Sequence, residues 1–321
     1  MTEAIRVGRL TVVVRPDRER LGRLAGGLAG RGYAVRESPH FVVGRRGGGA
    51  VLAHAFSAST VDEDVAPLIV EELGPLGLVT TAREYGEALF AIVASTCPSA
   101  GPCPQCGRVH VDLATVWRHY SVNTLRRLRA LLGGVPAAGA EVTHIEQFAA
   151  AYRRVIDGCV GDSLLDVGCS LGFLPVLAGE LLPDVRAAGC DNRPDAVAAA
   201  ADLSAVAGGG RAAFSVRDVL AADFPDVGAF DTVTAVHVLE HFTDAELPVA
   251  LANLLRVTAG RLIVAVPYED EVQALYGHVQ RCTPARLRAW GEWCVETLGG
   301  GRFRCEDVCG GMLMVDPPPW P

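Results

Sequence analysis

The chain of 321 residues contains no lysine; all 29 of its basic residues are arginine. Catalysis through a lysine amine, including Schiff-base chemistry, is thereby excluded. With the abundance of alanine, glycine and valine, this absence reads as the coding bias of a GC-rich genome. No run of about eighteen apolar residues occurs, and the N-terminus lacks a secretory-signal pattern. A soluble, cytoplasmic protein without a membrane span is expected. Basic charge is also short: the formal net charge is −8, which argues against nucleic acid as a partner. The ten cysteines are scattered, against a disulfide scaffold. Cys159, Cys169 and Cys190 sit in apolar contexts and read as core fillers. No feature bears on oligomeric state.

Within this acidic chain the first fifty residues hold ten arginines against four acids. The simplest reading is a solvated helix face around Arg15–Arg31. Residues 9–14 predict a strand, Arg18–Gly30 a helix, and 33–45 and 50–56 strands around the Arg45-Arg46-Gly47-Gly48-Gly49 turn. A helix is expected from Val61 to Leu73 and a further strand over Ala88–Ser95. That order suggests a small α+β module over 1–95. Residues 96–140 hold Cys97, Cys103, Cys106 and His110, then a long helix over Leu113–Leu132 and a Gly/Ala linker. Thiolates and imidazole at such spacing resemble a zinc knuckle; the alternative is a cysteine loop with no metal. Residues 141–321 form the third region. It opens with a helix over Thr143–Asp157, where Thr143 and Glu146 have the spacing of a capping box.

Five apolar runs follow. Leu164–Val167 leads into Gly168-Cys169-Ser170-Leu171-Gly172, with Asp166 two positions before the first glycine. Val185–Cys190 ends in Asp191-Asn192, and Ala212–Arg217 in Asp218-Val219. Phe230–Val236 leads into His237-Val238-Leu239-Glu240-His241, and Arg261–Val266 into Pro267. After a loop, a helix capped by Thr283 and a closing hairpin over Phe303–Asp307 and Met312–Val315 are expected. The pattern predicts an α/β fold with a Rossmann-like sheet.

Over about residues 145–275 this series resembles the class I S-adenosylmethionine-dependent methyltransferases, which implies a seven-stranded sheet and S-adenosylmethionine as cofactor. A dinucleotide-binding domain wants Gly-x-Gly-x-x-Gly, which this turn does not supply. The resemblance implies Asp166, Gly168, Cys169 and Gly172 near the amino-acid end of the cofactor. It implies Asp191 and Asn192 at the ribose, Asp218 and Val219 at the adenine, and His237 beside the cofactor. Asp218 could equally be a strand end paired with Arg217. His144 and Tyr152 either line the site or are ordinary packing residues.

His237-x-x-Glu240-His241, with His278 downstream, is similar to the Glu-x-x-Glu-His motif of metal-dependent O-methyltransferases acting on the terminal ribose of small RNA, and of the ubiquinone-pathway O-methyltransferases. His237, Glu240 and His241 fall on one helical face if the stretch is helical. The resemblance implies a catalytic divalent metal on His237, Glu240, His241 and His278, with His241 or His237 taking a proton. A histidine in place of the first Glu favours softer ions than magnesium. The alternative is an ordinary methyltransferase helix start with no metal. A metal chelated by a diol points to a small-molecule or glycosylated acceptor. The layout is similar to the mycofactocin oligosaccharide methyltransferases of actinobacteria, which implies O-methylation of a glucose hydroxyl. Two alternatives stay open: a metal-free natural-product O-methyltransferase, and a non-catalytic adaptor with a degenerate methyltransferase fold.

Overall fold

A computed structural model describes residues 4–14, 17–96, 113–134 and 143–318. Cys97, Cys103, Cys106 and His110 lie outside the described residues, so the zinc-knuckle reading is neither supported nor opposed by them. Two compact units are present: residues 1–124 with Ala274–Tyr276, and residues 125–273 with 277–321. No described helix is long and apolar enough to cross a membrane.

The first unit contains β1 (Ala4–Val7), β2 (Leu10–Val14), α1 (Arg18–Ala29), β3 (Ala34–Glu37), β4 (Phe41–Arg46) and β5 (Gly49–His54). Then come α2 (Val65–Leu68), a π-turn over Ile69–Leu73 and α3 (Ala82–Thr96). The sheet order is β1-β2-β5-β4-β3, with only β2 and β5 parallel. Asp17 caps α1 through the Arg20 amide, and Leu21, Ala25 and Leu28 seat it on Val13, Val42 and Ala53.

Four expectations for this unit need correction. Residues 4–7 form a strand that the sequence reading omitted. The expected strand over 33–45 is a hairpin, because Ser38-Pro39-His40 turns the chain and the Ser38 amide reaches the Phe41 carbonyl. The expected helix from Val61 starts at Val65 and finishes in π geometry. Ala88–Ser95 is the C-terminal half of α3, not a strand. An apolar run of that length is ambiguous by periodicity alone. The decision lies upstream, where the Glu84 amide donates to Thr81 Oγ1 and Glu84 Oε2 accepts from the Thr80 amide, nucleating a helix.

One buried titratable group of this unit is notable. His54 is fully buried; its Nδ1 accepts from the Phe56 amide at 3.2 Å, so Nε2 carries the hydrogen toward Ser95 Oγ at 2.9 Å. Burial pushes its pKa down to about 3.

Helix α4 (Leu113–Leu132) leads to the second unit. There the elements are α5 (His144–Gly158), β6 (Ser163–Val167), α6 (Phe173–Leu181), β7 (Arg186–Asp191), α7 (Pro194–Ala207), β8 (Ala213–Val216) and β9 (Phe230–Val236). They continue with α8 (Leu247–Arg256), β10 (Thr258–Val266), α9 (Pro284–Thr297), β11 (Arg302–Asp307) and β12 (Gly311–Asp316). The Thr143–Glu146 capping box is formed, and Thr283 caps α9 with Pro284 at its first turn.

The sheet has seven strands in the order β11-β12-β10-β9-β6-β7-β8. Strands β6 to β10 are parallel; β12 and β11 add antiparallel to β10. From β6 the chain winds outward through β7 and β8, then returns to β9 on the other side. That reversal leaves a crevice outside the C-terminal ends of β6 and β9, where open α/β sheets bind ligands.

Candidate active site

The turn after β6 is shaped by close approach. Gly168 has φ +73°, and a Cβ there would stand 2.5 Å from Val238 Cγ2. Gly172 has φ +79°, and a Cβ would stand 2.8 Å from Ala200 and Phe214. Only glycine meets both demands. Between them Ser170 adopts φ +47°, a left-handed conformation for a non-glycine residue. The Gly168 and Cys169 amides donate to the Cys190 carbonyl at 2.8 and 2.9 Å, and the Ser170 amide donates to Asp191 Oδ2 at 3.0 Å. The acid at the end of β7 thus also receives the glycine turn of β6. The Arg193 amide donates to its other oxygen at 2.9 Å.

Asp166 is buried at the end of β6 and accepts from Thr234 Oγ1 on β9 at 2.7 Å. Burial pushes its pKa up to about 7; the Thr234 bond opposes this and the charge of Asp191 adds to it. A neighbouring cation would relieve that carboxyl. Cys169 and Cys190 are buried and burial pushes both thiols up, Cys190 to about 12, so both are inert fillers. Asn192 is exposed. Exposed Asp218 accepts from the Leu220 amide at 2.9 Å in a local turn and makes no ion pair with Arg217. Val219 is buried, its carbonyl held by Asn253 at 2.7 Å.

Beyond β9 the chain does not continue as an α-helix. His237 takes φ +55°, and only Leu239–His241 closes a 3₁₀ turn. The shared helical face expected for His237, Glu240 and His241 is therefore replaced by a left-handed kink followed by a tight turn. Left-handed conformations of non-glycine residues cluster at functional sites, because the surroundings must over-determine them. Here the His237 amide is fixed by the Ala265 carbonyl at 2.9 Å, and its ring packs 5.0 Å from that of Phe148 on α5. Phe148 also contacts the rings of His144 and Tyr152, so this face of α5 forms an aromatic wall beside His237.

Glu240 is fully buried, and neither carboxylate oxygen has a hydrogen-bond partner among the described residues. A buried carboxylate left so is costly unless something else compensates it. Imidazoles surround it: His237 Nδ1 lies 3.3 Å and His278 Nε2 4.0 Å from Oε1. Burial pushes its carboxyl up, but the pull of His237 and then His241 wins and holds it below the ordinary range. One ligand atom each from Glu240, His241 and His278 lies within 4.8 Å of the others, a spacing able to hold a metal ion. His237 stands outside this set, against Glu240.

The two histidines of the set are pre-oriented. His241 Nδ1 faces the Gly277 carbonyl at 3.1 Å, and His278 Nδ1 faces Glu269 Oε1 at 2.8 Å. Acceptors at both Nδ1 atoms put the hydrogen there and turn the Nε2 lone pairs to the ligand side, the arrangement usual around metal-bound histidines. Burial lowers the His278 pKa, with Glu240 and Glu269 opposing, which favours the neutral, ligating form.

The segment carrying His278 is fastened to the 3₁₀ turn. The Val279 amide donates to the Glu240 carbonyl at 3.0 Å, and Gln280 Nε2 donates to the carbonyls of Leu239 and Phe242 at 2.6 and 2.8 Å. Sequence reasoning missed Glu269, Gln280 and Phe148. The run Glu269-Asp270-Glu271, nine to seven residues before His278, offered a faint signal for the first; nothing local marked the other two.

Residues 164–260 match a family model described as a methyltransferase domain. The chain is 28% identical over 138 residues to ajmaline N-methyltransferase of Rauvolfia serpentina, across 40% of this chain and 46% of that protein. It thus spans about half the length of the curated relative it matches. Among solved structures, the methyltransferase domain of bacterial CtHen1-C covers 52% of this chain and 98% of its own at 16% identity and a TM-score of 0.45. Magnesium protoporphyrin IX methyltransferase from Synechocystis PCC 6803 with bound SAH covers 63% of this chain and 97% of its own, at 17% and 0.39. With the acid–glycine turn, the strand reversal at β6 and the matched segment, the chain carries a class I S-adenosylmethionine-dependent methyltransferase domain.

Proposed function

We propose that the protein is an S-adenosylmethionine-dependent O-methyltransferase, metal-assisted, whose acceptor is a hydroxyl of a sugar diol, with a glucose residue of a mycofactocin oligosaccharide as the specific candidate. One observation carries the metal and hydroxyl parts: a wholly buried Glu240 whose charge is met by imidazoles, with ligand atoms of His241 and His278 beside it and the tautomers of both set by acceptors at Nδ1. Glu240, His241 and His278 fit a divalent ion and would hold it; their nitrogen-rich donor set favours ions softer than magnesium. When bound, such an ion supplies Lewis acidity that lowers the pKa of a hydroxyl.

The chain's own groups account for the rest. Asp166 would meet the cationic amino group of the bound cofactor, which favours the ionised carboxylate. Asp191 would accept from the ribose hydroxyls. Nδ1 of His237 lies against Glu240, which keeps the hydrogen on Nδ1 and leaves Nε2 as the acceptor. His237 Nε2 would take the proton of the acceptor hydroxyl as that oxygen is methylated, the methyl group being what S-adenosylmethionine supplies when bound. The aromatic wall of α5 would shield one side of this transfer. Separately, Cys97, Cys103, Cys106 and His110 are proposed as a structural zinc site.

The test is elemental analysis of protein purified without added metal or chelator, followed by calorimetric titration of S-adenosylmethionine. Wild type, Cys106→Ser and Glu240→Gln are compared. Zinc lost only in the cysteine variant, a second divalent ion lost only in Glu240→Gln, and metal-dependent methylation of a glucose-bearing acceptor are expected. Cofactor binding with no metal at Glu240 would leave a metal-free methyltransferase. No cofactor binding at all would leave an adaptor.

A further inference from the structure

We propose that Phe148 is a positioning residue for His237: its ring holds the imidazole in the orientation that turns Nδ1 to Glu240 and leaves Nε2 to the acceptor hydroxyl. This rests on the reading of His237 as the group that takes the proton. It gives a side chain of α5 a duty at the end of β9.

The backbone of His237 is fixed from two sides. Its amide donates to the Ala265 carbonyl on β10 at 2.9 Å. The next residue, Val238, packs so closely on the glycine turn that a Cβ on Gly168 would stand 2.5 Å from Val238 Cγ2. The left-handed φ of +55° is what these contacts over-determine. The side chain is held less firmly. Nδ1 stands 3.3 Å from Glu240 Oε1, longer than the common N–H···O bond, and that oxygen has no hydrogen-bond partner among the described residues. Attraction between the two acts mainly through charge, which tolerates a tilted ring. A ring turned over about Cβ–Cγ would put a carbon against Glu240 and move Nε2 from its place. Glu240 selects which edge of the imidazole faces it, and the plane of the ring needs a second support.

Phe148 supplies that support. Its ring centroid lies 5.0 Å from that of His237, with the planes at 58°, a separation and tilt that favour an aromatic pair. Phe148 is itself wedged: His144 meets it edge-on at 5.0 Å and 72°, and Tyr152 lies at 5.8 Å and 46°. With three rings around it, Phe148 is better placed to pass on a constraint than to stack on an acceptor. The helix behind it is anchored toward its far end. Arg154 donates to both oxygens of Glu306 on β11 at 2.5 and 2.7 Å, and Arg261 of β10 donates to the Gly158 carbonyl at 2.8 Å. Ile145, Ala149 and Val155 are buried on the inner face of α5. Through Phe148 the imidazole is thus referred to the same sheet that carries its backbone.

Nitrogen-15 labelling of the histidines in the full-length protein reads the ring directly. Long-range proton–nitrogen spectra at about pH 8, where an ordinary imidazole is neutral, distinguish the two tautomers. His237→Gln identifies the His237 signals by their loss. Wild type is expected to show a single Nδ1–H tautomer for His237. Phe148→Leu keeps apolar bulk and removes the ring. It should raise the population of turned or tautomerised imidazole about fivefold, the worth of one aromatic pair, and average the two nitrogen signals. Phe148→Tyr should restore the wild-type signature. Thermal melts establish that the variants fold, and S-adenosylhomocysteine affinity should hold. A folded Phe148→Leu with the wild-type His237 signals overturns the proposal, and so does a Phe148→Tyr that behaves as Phe148→Leu does. The spectra need neither acceptor nor metal: failure of the proposed reaction is read from methylation of a glucose-bearing acceptor, failure of the positioning role from the imidazole signals.

Discussion

The two halves of the candidate site are built on opposite plans. The glycine turn of β6 is a local device: five consecutive residues, two glycines that tolerate neither a side chain nor another backbone conformation, and an acid two positions upstream. The Glu240 cluster is a long-range device. Its groups come from residues 237–241, 269 and 277–280, joined by hydrogen bonds between backbone, amide and imidazole. The first is preorganised by what the chain cannot do elsewhere in conformational space. The second is preorganised by one segment bolted to another, and a single bolt can be removed without disturbing the sheet.

Gly168→Ala attacks the local half directly. It combines an unfavourable left-handed conformation with a Cβ 2.5 Å from Val238, and about 3 kcal/mol of lost stability is expected, with loss of S-adenosylhomocysteine binding. Denaturant unfolding with and without ligand measures both. Gln280→Ala attacks the long-range half. Leaving the Leu239 and Phe242 carbonyls without their donor should cost about 2 kcal/mol and weaken divalent-metal affinity, while S-adenosylhomocysteine affinity holds. Equal losses in both ligands would erase the distinction between the halves.

The first unit supplies a control that belongs to neither half. The His54 pKa falls from an ordinary 6.5 to about 3 on folding, so below pH 6.5 the unfolded chain takes up a proton that the folded one refuses. Stability of this unit should be fully present above pH 6.5. It should then fall by up to about 1.4 kcal/mol per pH unit down to about pH 3. Amide exchange in β4 and β5 at pH 6.5 and 5.5 reads this, and His54→Gln should flatten the dependence. The smallest effect is expected from Thr143→Ala, which removes the capping box of α5 at about 1 kcal/mol, visible as faster exchange at the start of that helix alone.

Most of the second unit was legible before any coordinates. Its parallel strands read as apolar runs, and its caps announced themselves at Thr143 and Thr283. In the first unit the same logic faltered where one pattern serves two structures: Ala88–Ser95 is apolar throughout, and only the cap at Thr81–Glu84 tips it to helix. At the site, spacing brought His237, Glu240 and His241 under notice, yet the left-handed His237 and the 3₁₀ turn set their geometry.

The sequence alone determined the acid–glycine turn, the strand series and the types of ligand-bearing side chains, because these depend on dihedral preference and hydrophobicity within a few residues. Tertiary structure decided which nitrogen of each histidine faces Glu240, and that Glu269 and Gln280 serve the site at all. Those outcomes depend on closing the loop between β10 and α9 onto the turn after β9, and no local residue preference specifies a contact made at that range.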